Sequence, residues 1–186
     1  MDLRTSILNA IRRVSPKTFY YLLYWRASRR LGDQIRRKEE LFSRLVSSSY
    51  GKRCLQIGVR DRKYAPHWTS VDLYDQADYI DFHDDIHDLH FACDEFDIVV
   101  CEAVLEHVTD PPRAIEELRR VLKPGGEIWV VVPFNQPYHP SPGDYWRVTP
   151  DGLRLWMKGF SEIASGYFAD DKSPIYNSCY YQGRKG

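Results

Sequence analysis

The chain has 186 residues, 43% of them hydrophobic and 14% aromatic, which suits one domain with a real core and excludes a disordered protein. Its zero net charge hides an asymmetry: residues 1–53 hold 13 Lys/Arg against 4 Asp/Glu, net +9, and the other 133 residues carry 13 against 22, net −9. A basic N-terminal part is therefore joined to an acidic remainder.

Residues 3–50 read as helix. Ile7, Leu8, Ile11 and Val14 recur at helical spacing, Ser15-Pro16 supplies a cap and first turn, and Phe42, Leu45 and Val46 continue the period. The run Thr18 to Trp25 is apolar on every side and is followed by Arg26, Arg29 and Arg30. It is far short of the ~20 residues a membrane-spanning helix needs. Two uses of this arm, residues 1–31, compete: a cap that packs on the domain or closes its site, and a peripheral contact with a membrane or a protein partner. Nucleic acid is the weaker third, and a homo-oligomer contact is a further use. The division is a helical extension over 1–50 and a domain over 51–186.

From Lys52 short apolar runs alternate with polar turns. Residues 53–58, 69–73, 96–102 and 127–134 read as strands, the last two continuous enough to be buried on both faces. One helix between them is well marked: Asp110 caps it, Pro111 sits in its first turn, and Ala114, Ile115, Leu118, Val121 and Leu122 form its buried stripe before Lys123-Pro124-Gly125-Gly126 stops it. Thr149-Pro150 starts another helix, carrying Leu153, Leu155, Trp156 and Met157, and two runs after Phe160 form a terminal antiparallel pair. The class is α/β, with ligands expected at the carboxyl ends of the strands. Cys54, Cys93, Cys101 and Cys179 form no C-x-x-C pair, and free thiols in a reducing cytoplasm are the expectation.

The stretch FDIVVCEAVLEHVTDPPRAIEELRRVLKPGGEIWVVVPF, residues 96–134, resembles the second half of class I S-adenosylmethionine-dependent methyltransferases of the small-molecule group. The resemblance covers about residues 53–183 and implies a Rossmann-like sheet, mostly parallel with a terminal antiparallel strand. It also implies S-adenosyl-L-methionine as cofactor. Residues 138–157 look like a segment of glycan-associated members, which implies O-methyl transfer to a sugar or other small polar acceptor in bacterial glycan or secondary metabolism.

Carried over position by position, the resemblance places cofactor contacts at Gln56, Gly58, Asp72, Leu73, Asp85, Ile86 and Glu102. Asp72 would accept the ribose hydroxyls, since a carboxylate offers two acceptor oxygens to a vicinal diol. Asp85 would lie near the adenine amino group, with Ile86 against the ring. The first motif is degenerate: Gln56 stands where an acid is usual, and Arg60 and Arg62 stand where glycines are. Gly58 to Asp72 is only 14 positions, so the first crossover helix must be very short or reduced to a turn.

Methyl transfer needs alignment and a base for the acceptor's proton. That base is expected where Glu102, Glu106 and His107 follow residues 97–101; His107 is the leading one because imidazole titrates near neutrality, and His139 and Asp144 are the alternatives from a proline-rich loop. Tyr145, Trp146 and Arg147 from that loop are the candidate acceptor contacts. His83, His87 and His90, interleaved with aspartates, do not read as a metal site. The rival to the enzyme is a catalytically inactive scaffold or regulator that binds a partner through its basic arm. A third reading has Arg60 and Arg62 gripping an anionic group of the acceptor.

Overall fold

The computed structural model describes residues 10, 13, 15–170 and 173–186; within these the side chains of 16, 20–34, 170 and 173–175 lie outside the description. Side-chain expectations for the basic, aromatic arm between Tyr20 and Arg30 therefore fall outside the described residues. A six-stranded mixed sheet forms the body, in the order β2-β1-β3-β4-β6-β5. Its strands are β1 (Cys54–Ile57), β2 (Thr69–Val71), β3 (Phe96–Glu102), β4 (Leu122–Asn135), β5 (Phe160–Asp170) and β6 (Ser173–Lys185). β1 pairs in parallel with β2 and β3, and β3 with β4, whereas β6 is antiparallel to both β4 and β5. This is the expected α/β architecture, with the C-terminal hairpin inserted so that β6 lies inside it and β5 forms the edge.

Alternation along the central strands divides the core between the two faces. Leu55, Ile57, Val99, Cys101, Ile128, Val130 and Val132 share one buried cluster with Ala114, Ile115, Leu118 and Val121 of α2 (Pro111–Val121), and with Leu153 of α3 (Pro150–Trp156) and Met157. Cys54, Ile98, Val100, Trp129 and Val131 point the other way, into a second cluster with Trp68, Tyr180 and Leu45. Leu155 is 61% exposed, so of the expected α3 stripe Leu153 is buried and Leu155 faces solvent.

Local chemistry sets the helix boundaries. The Asp110 carboxylate accepts from the Arg113 amide and Pro111 opens α2, while Thr149 accepts from the Gly152 amide at the start of α3. Both are ordinary side-chain caps of orphan donors. Between β1 and β2 the chain makes only turns and bends, the short crossover that the spacing predicts. Without a helix there, the second face is covered by α1 (Pro16–Ser47). Leu45 is buried, Leu41, Phe42 and Val46 pack on the same cluster, and the Phe42 ring lies 5.0 Å from Tyr64 and 5.2 Å from Trp129. Among the described residues no helix is long and apolar enough to cross a membrane.

The two ends of the extension are expected to behave differently. Leu45→Ala should cost about 2–5 kcal/mol, the range for a truncated core leucine, read as a lower midpoint in urea unfolding. Deletion of residues 1–31 should leave one cooperative transition; loss of cooperativity in that deletion would place the arm in the core.

Candidate functional site

The site grows from the carboxyl ends of β1, β2 and β3. Gly58 leaves β1 with φ +73°, and a Cβ there would lie 2.2 Å from Val104 Cγ2 and 3.4 Å from the Glu102 carbonyl. Only glycine fits both the left-handed backbone and the contact. The Gly58 amide donates to the Val71 carbonyl (2.9 Å), so the first loop is drawn against the ends of both β2 and β3.

Beside Gly58 opens a cleft of about 730 Å³. Gly58, Asp72, Leu73, Asp85, Ile86 and Glu102 line it, together with His107, His139 and Tyr145. Six of the seven expected cofactor positions thus meet in one cavity with two of the three expected bases. Gln56 instead lines an adjoining recess of about 350 Å³, with Arg62 and Tyr64, while Gly58, Arg60, Glu102 and His139 border both spaces.

Hydrogen bonds explain each placement. Asp72 Oδ1 accepts from the amides of Tyr74 and Asp75, each at 3.0 Å, and Oδ2 from the Val59 amide at 3.4 Å. These hold the carboxylate at the rim and leave it capacity to accept from a ligand, since an ionised carboxylate has about four lone-pair sites. Asp85 Oδ1 accepts from the His87 amide (2.9 Å) and pairs with His87 Nδ1 (2.7 Å); these bonds hold its carboxyl below the usual range. Buried Gln56 spans the first loop, accepting from the Tyr64 amide (3.0 Å) and donating to the Arg62 carbonyl (3.4 Å). Glu102 accepts from the Tyr64 hydroxyl (2.6 Å) and the Trp129 indole N–H (2.8 Å). Gln56 and Glu102 therefore brace the loop that carries Arg60 and Arg62.

The opposite rim is the loop after β4. Arg147 donates to both Asp144 oxygens (2.6 and 2.7 Å) and to the carbonyls of Gln136, Pro137 and Trp146. Asp144 also accepts from the His139 amide (2.7 Å), and the Arg147 guanidinium holds its carboxyl well below the usual range. This pair folds the loop back on itself and sets His139 at the cleft; neither Asp144 nor Arg147 lines it. Trp146 donates to the Val108 carbonyl (2.8 Å) and stacks edge-on against Trp156, so Tyr145 is the loop aromatic that faces the cavity, 56% exposed.

At the centre stand three groups. Glu106 is fully buried, and neither of its carboxylate oxygens has a hydrogen-bond partner among the described residues. Burial pushes its carboxyl up to about 7, although the Arg147 charge opposes the shift. His107 Nε2 lies 3.8 Å and His139 Nε2 3.9 Å from Glu106 Oε1. Sequence reasoning set Glu106 behind His107 as a base, because a glutamate beside a candidate histidine gives no sign of its own burial. The histidines of the 83–90 run do not converge: His83 bonds the Asp72 carbonyl, His87 pairs with Asp85, and His90 with Asp84.

Comparison with known proteins agrees with this geometry. Residues 59–130 match the family model of a methyltransferase domain. Over 84 residues the chain is 44% identical to the demethylmenaquinone methyltransferase of Clavibacter sepedonicus, a match spanning 45% of this chain and 30% of that protein. The chain therefore aligns with under a third of that relative's length. Among solved structures, the N-methyltransferase NodS of Bradyrhizobium japonicum WM9, in complex with S-adenosyl-l-homocysteine, superposes with a TM-score of 0.60 at 19% identity, covering 81% of this chain and 86% of NodS. The Burkholderia thailandensis 1,6-didemethyltoxoflavin-N1-methyltransferase, with its substrate and S-adenosylhomocysteine bound, gives 0.62 at 14% identity over 92% of this chain and 90% of that one. The fold is that of these enzymes.

Two substitutions test the rims. Gly58→Ala should lower stability by more than about 2 kcal/mol, since the left-handed backbone alone costs 1–2 kcal/mol for a residue with a Cβ; adding Val104→Ala should recover the steric part and leave the backbone part. Asp144→Ala should cost roughly 2–3 kcal/mol, under the 3–5 for breaking a fully buried pair because Arg147 is partly exposed. It should also raise amide hydrogen exchange across residues 136–148. Unchanged exchange there would show that the loop does not depend on the pair.

Proposed function

We propose that this chain, built on the class I methyltransferase fold, transfers a methyl group from S-adenosyl-L-methionine to a small polar acceptor. The observation that carries the reading is that Gly58, Asp72, Asp85 and Ile86 line the same cleft as His107, His139 and Tyr145. In this reading the first four residues form a donor end and the last three an acceptor end.

At the donor end, Asp72 takes the ribose hydroxyls on its remaining acceptor sites, and Ile86 packs against the adenine with Asp85 beside the exocyclic amine. Gly58 lets the backbone approach the methionine portion. A sulfonium amino acid has no pyrophosphate to cradle, so the loss of the later glycines to Arg60 and Arg62 is tolerable. Both arginines are exposed at the cavity mouths, and Arg60, which borders both spaces, is placed to meet an anionic group of either ligand.

At the acceptor end an oxygen attacks the methyl carbon in line with the departing sulfur. The C–S bond breaks, its electron pair stays on sulfur, and the sulfonium charge is lost. The acceptor's proton leaves through the Glu106–His107–His139 group that faces it. Alignment in such a cleft is worth up to about 7–11 kcal/mol, so few catalytic groups are needed. Exposed Tyr145 at the cleft offers an aromatic face of the kind that stacks on a sugar or another small ring, which favours O-methylation of such an acceptor in glycan or secondary metabolism.

Calorimetric titration with S-adenosylhomocysteine tests the donor end directly. The chain should bind it, and Asp72→Ala should lose roughly 1.5–3 kcal/mol, the scale of hydrogen bonds to a charged group, or about 10- to 150-fold in Kd. No binding at millimolar ligand by the folded protein would end the enzyme reading and leave a scaffold.

A further inference from the structure

We propose that Glu106, His107 and His139 form a binding site for a divalent transition-metal ion at the acceptor end of the cleft. Their ligand atoms lie within 4.8 Å of one another, the one such grouping of three among the described residues. Proximity alone would be weak; the orientation of the three groups is what points to a cation.

Each imidazole is turned by a hydrogen bond on its far nitrogen. His107 Nδ1 lies 2.6 Å from the Gly143 carbonyl and His139 Nδ1 2.8 Å from the Pro137 carbonyl. The Gly143 carbonyl can only accept, so His107 Nδ1 carries the proton and its Nε2 presents a lone pair; His139 Nδ1 also lies 3.3 Å from the donor-only Arg147 Nη2, and its shorter contact to the Pro137 carbonyl favours the same tautomer. This Nδ1–H to carbonyl arrangement is how proteins fix the tautomer and ring orientation of metal-ligating histidines. Both lone-pair nitrogens stand just under 4 Å from the same oxygen, Glu106 Oε1. With Glu106 ionised, these are three acceptors facing one point, and they repel unless something positive lies between.

Glu106 supplies the second, independent observation. Its side chain is 0% exposed, and both oxygens lack a hydrogen-bond partner among the described residues. A buried, unbonded carboxylate is costly and unusual. The neighbouring cation, Arg147, is already committed to Asp144 and to backbone carbonyls, so it does not satisfy Glu106. A metal would.

Two imidazoles and one carboxylate suit Zn²⁺, Co²⁺ or Fe²⁺ better than Mg²⁺ or Ca²⁺, which prefer all-oxygen shells. Ligands about 2.0–2.2 Å from one tetrahedral ion lie roughly 3.4 Å apart, so the two glutamate–histidine distances of 3.8 and 3.9 Å need to close by about half an ångström. His107 and His139 line the cleft, so an ion held by these three residues would lie beside it. Resting on the methyl-transfer reading, such an ion would supply Lewis acidity that lowers the pKa of an acceptor hydroxyl, with His107, His139 and Glu106 as its ligands and the hydroxyl's proton passing to water.

Cobalt supplies the probe. Chelator-treated protein titrated with Co²⁺ should bind about one ion per chain with visible d–d absorption of a nitrogen–oxygen site, and Zn²⁺ should displace it. His107→Ala and His139→Ala should each weaken binding by at least about 100-fold, beyond the 10–100-fold typical for loss of an outer-shell partner. Near-isosteric Glu106→Gln should also weaken it while unfolding at or above the wild-type temperature, which keeps the test valid should an alanine variant not fold. Absence of Co²⁺ binding at millimolar metal, or binding undiminished in these variants and so located on the 83–90 run, overturns the proposal. S-adenosylhomocysteine titrated into the same samples separates the two claims: cofactor binding without Co²⁺ binding removes the metal site and leaves the methyl-transfer reading standing.

Discussion

The approach of Gly58 to Val104 is the contact on which the rest of the site depends. Where a Cβ would stand 2.2 Å from Val104, the missing side chain lets the loop after β1 close against the loop after β3. That second loop runs directly into Leu105–His107. One steric vacancy therefore fixes the donor rim and sets its distance from Glu106 and His107. A larger residue at 58 would part the two loops and separate donor from acceptor groups even if every polar side chain were retained.

The acceptor rim is held by different physics. No regular element spans residues 136–149, so backbone carbonyls there need donors from elsewhere. Arg147 supplies them in a fan to Gln136, Pro137 and Trp146, with Asp144 fixing the guanidinium. The Tyr145 amide donates to the Glu106 carbonyl (2.7 Å), tying the loop to the buried glutamate. The histidines at the two rims are thereby placed by carbonyls, Gly143 for His107 and Pro137 for His139. A loop without secondary structure thus presents a site as defined as one on a strand.

Much of the fold could be read from the residues because the signals were local. The caps Asp110 and Thr149 and the apolar runs of β3 and β4 each report their own element, whereas Leu122, expected on the helix, opens β4, which runs on through Pro124-Gly125-Gly126. Placing β6 between β4 and β5 was not local, since it depends on which hairpin strand finds the open edge of β4. The role of α1 was only partly legible: the helical period was plain, but its use as cover for the second sheet face follows from the absence of a helix between β1 and β2. At the site, Gly58, Asp72, Asp85 and Ile86, picked out by motif spacing, line one cleft. Chemistry by residue type misled at Asp144 and Arg147, which look catalytic or substrate-binding in sequence and spend their bonding capacity on each other and the loop. The isolation of Glu106 was invisible, because burial is a property of the folded chain.

The central claim is that one cleft holds the methyl donor between Asp72 and the Glu106–His107–His139 group. Crystals grown with S-adenosylhomocysteine test it most directly. The account predicts ribose hydroxyls on Asp72, adenine beside Asp85 and Ile86, and the sulfur facing the histidines. The ligand seated instead in the recess beside Gln56 and Arg62, or turned so that its sulfur points away from His107 and His139, would contradict it.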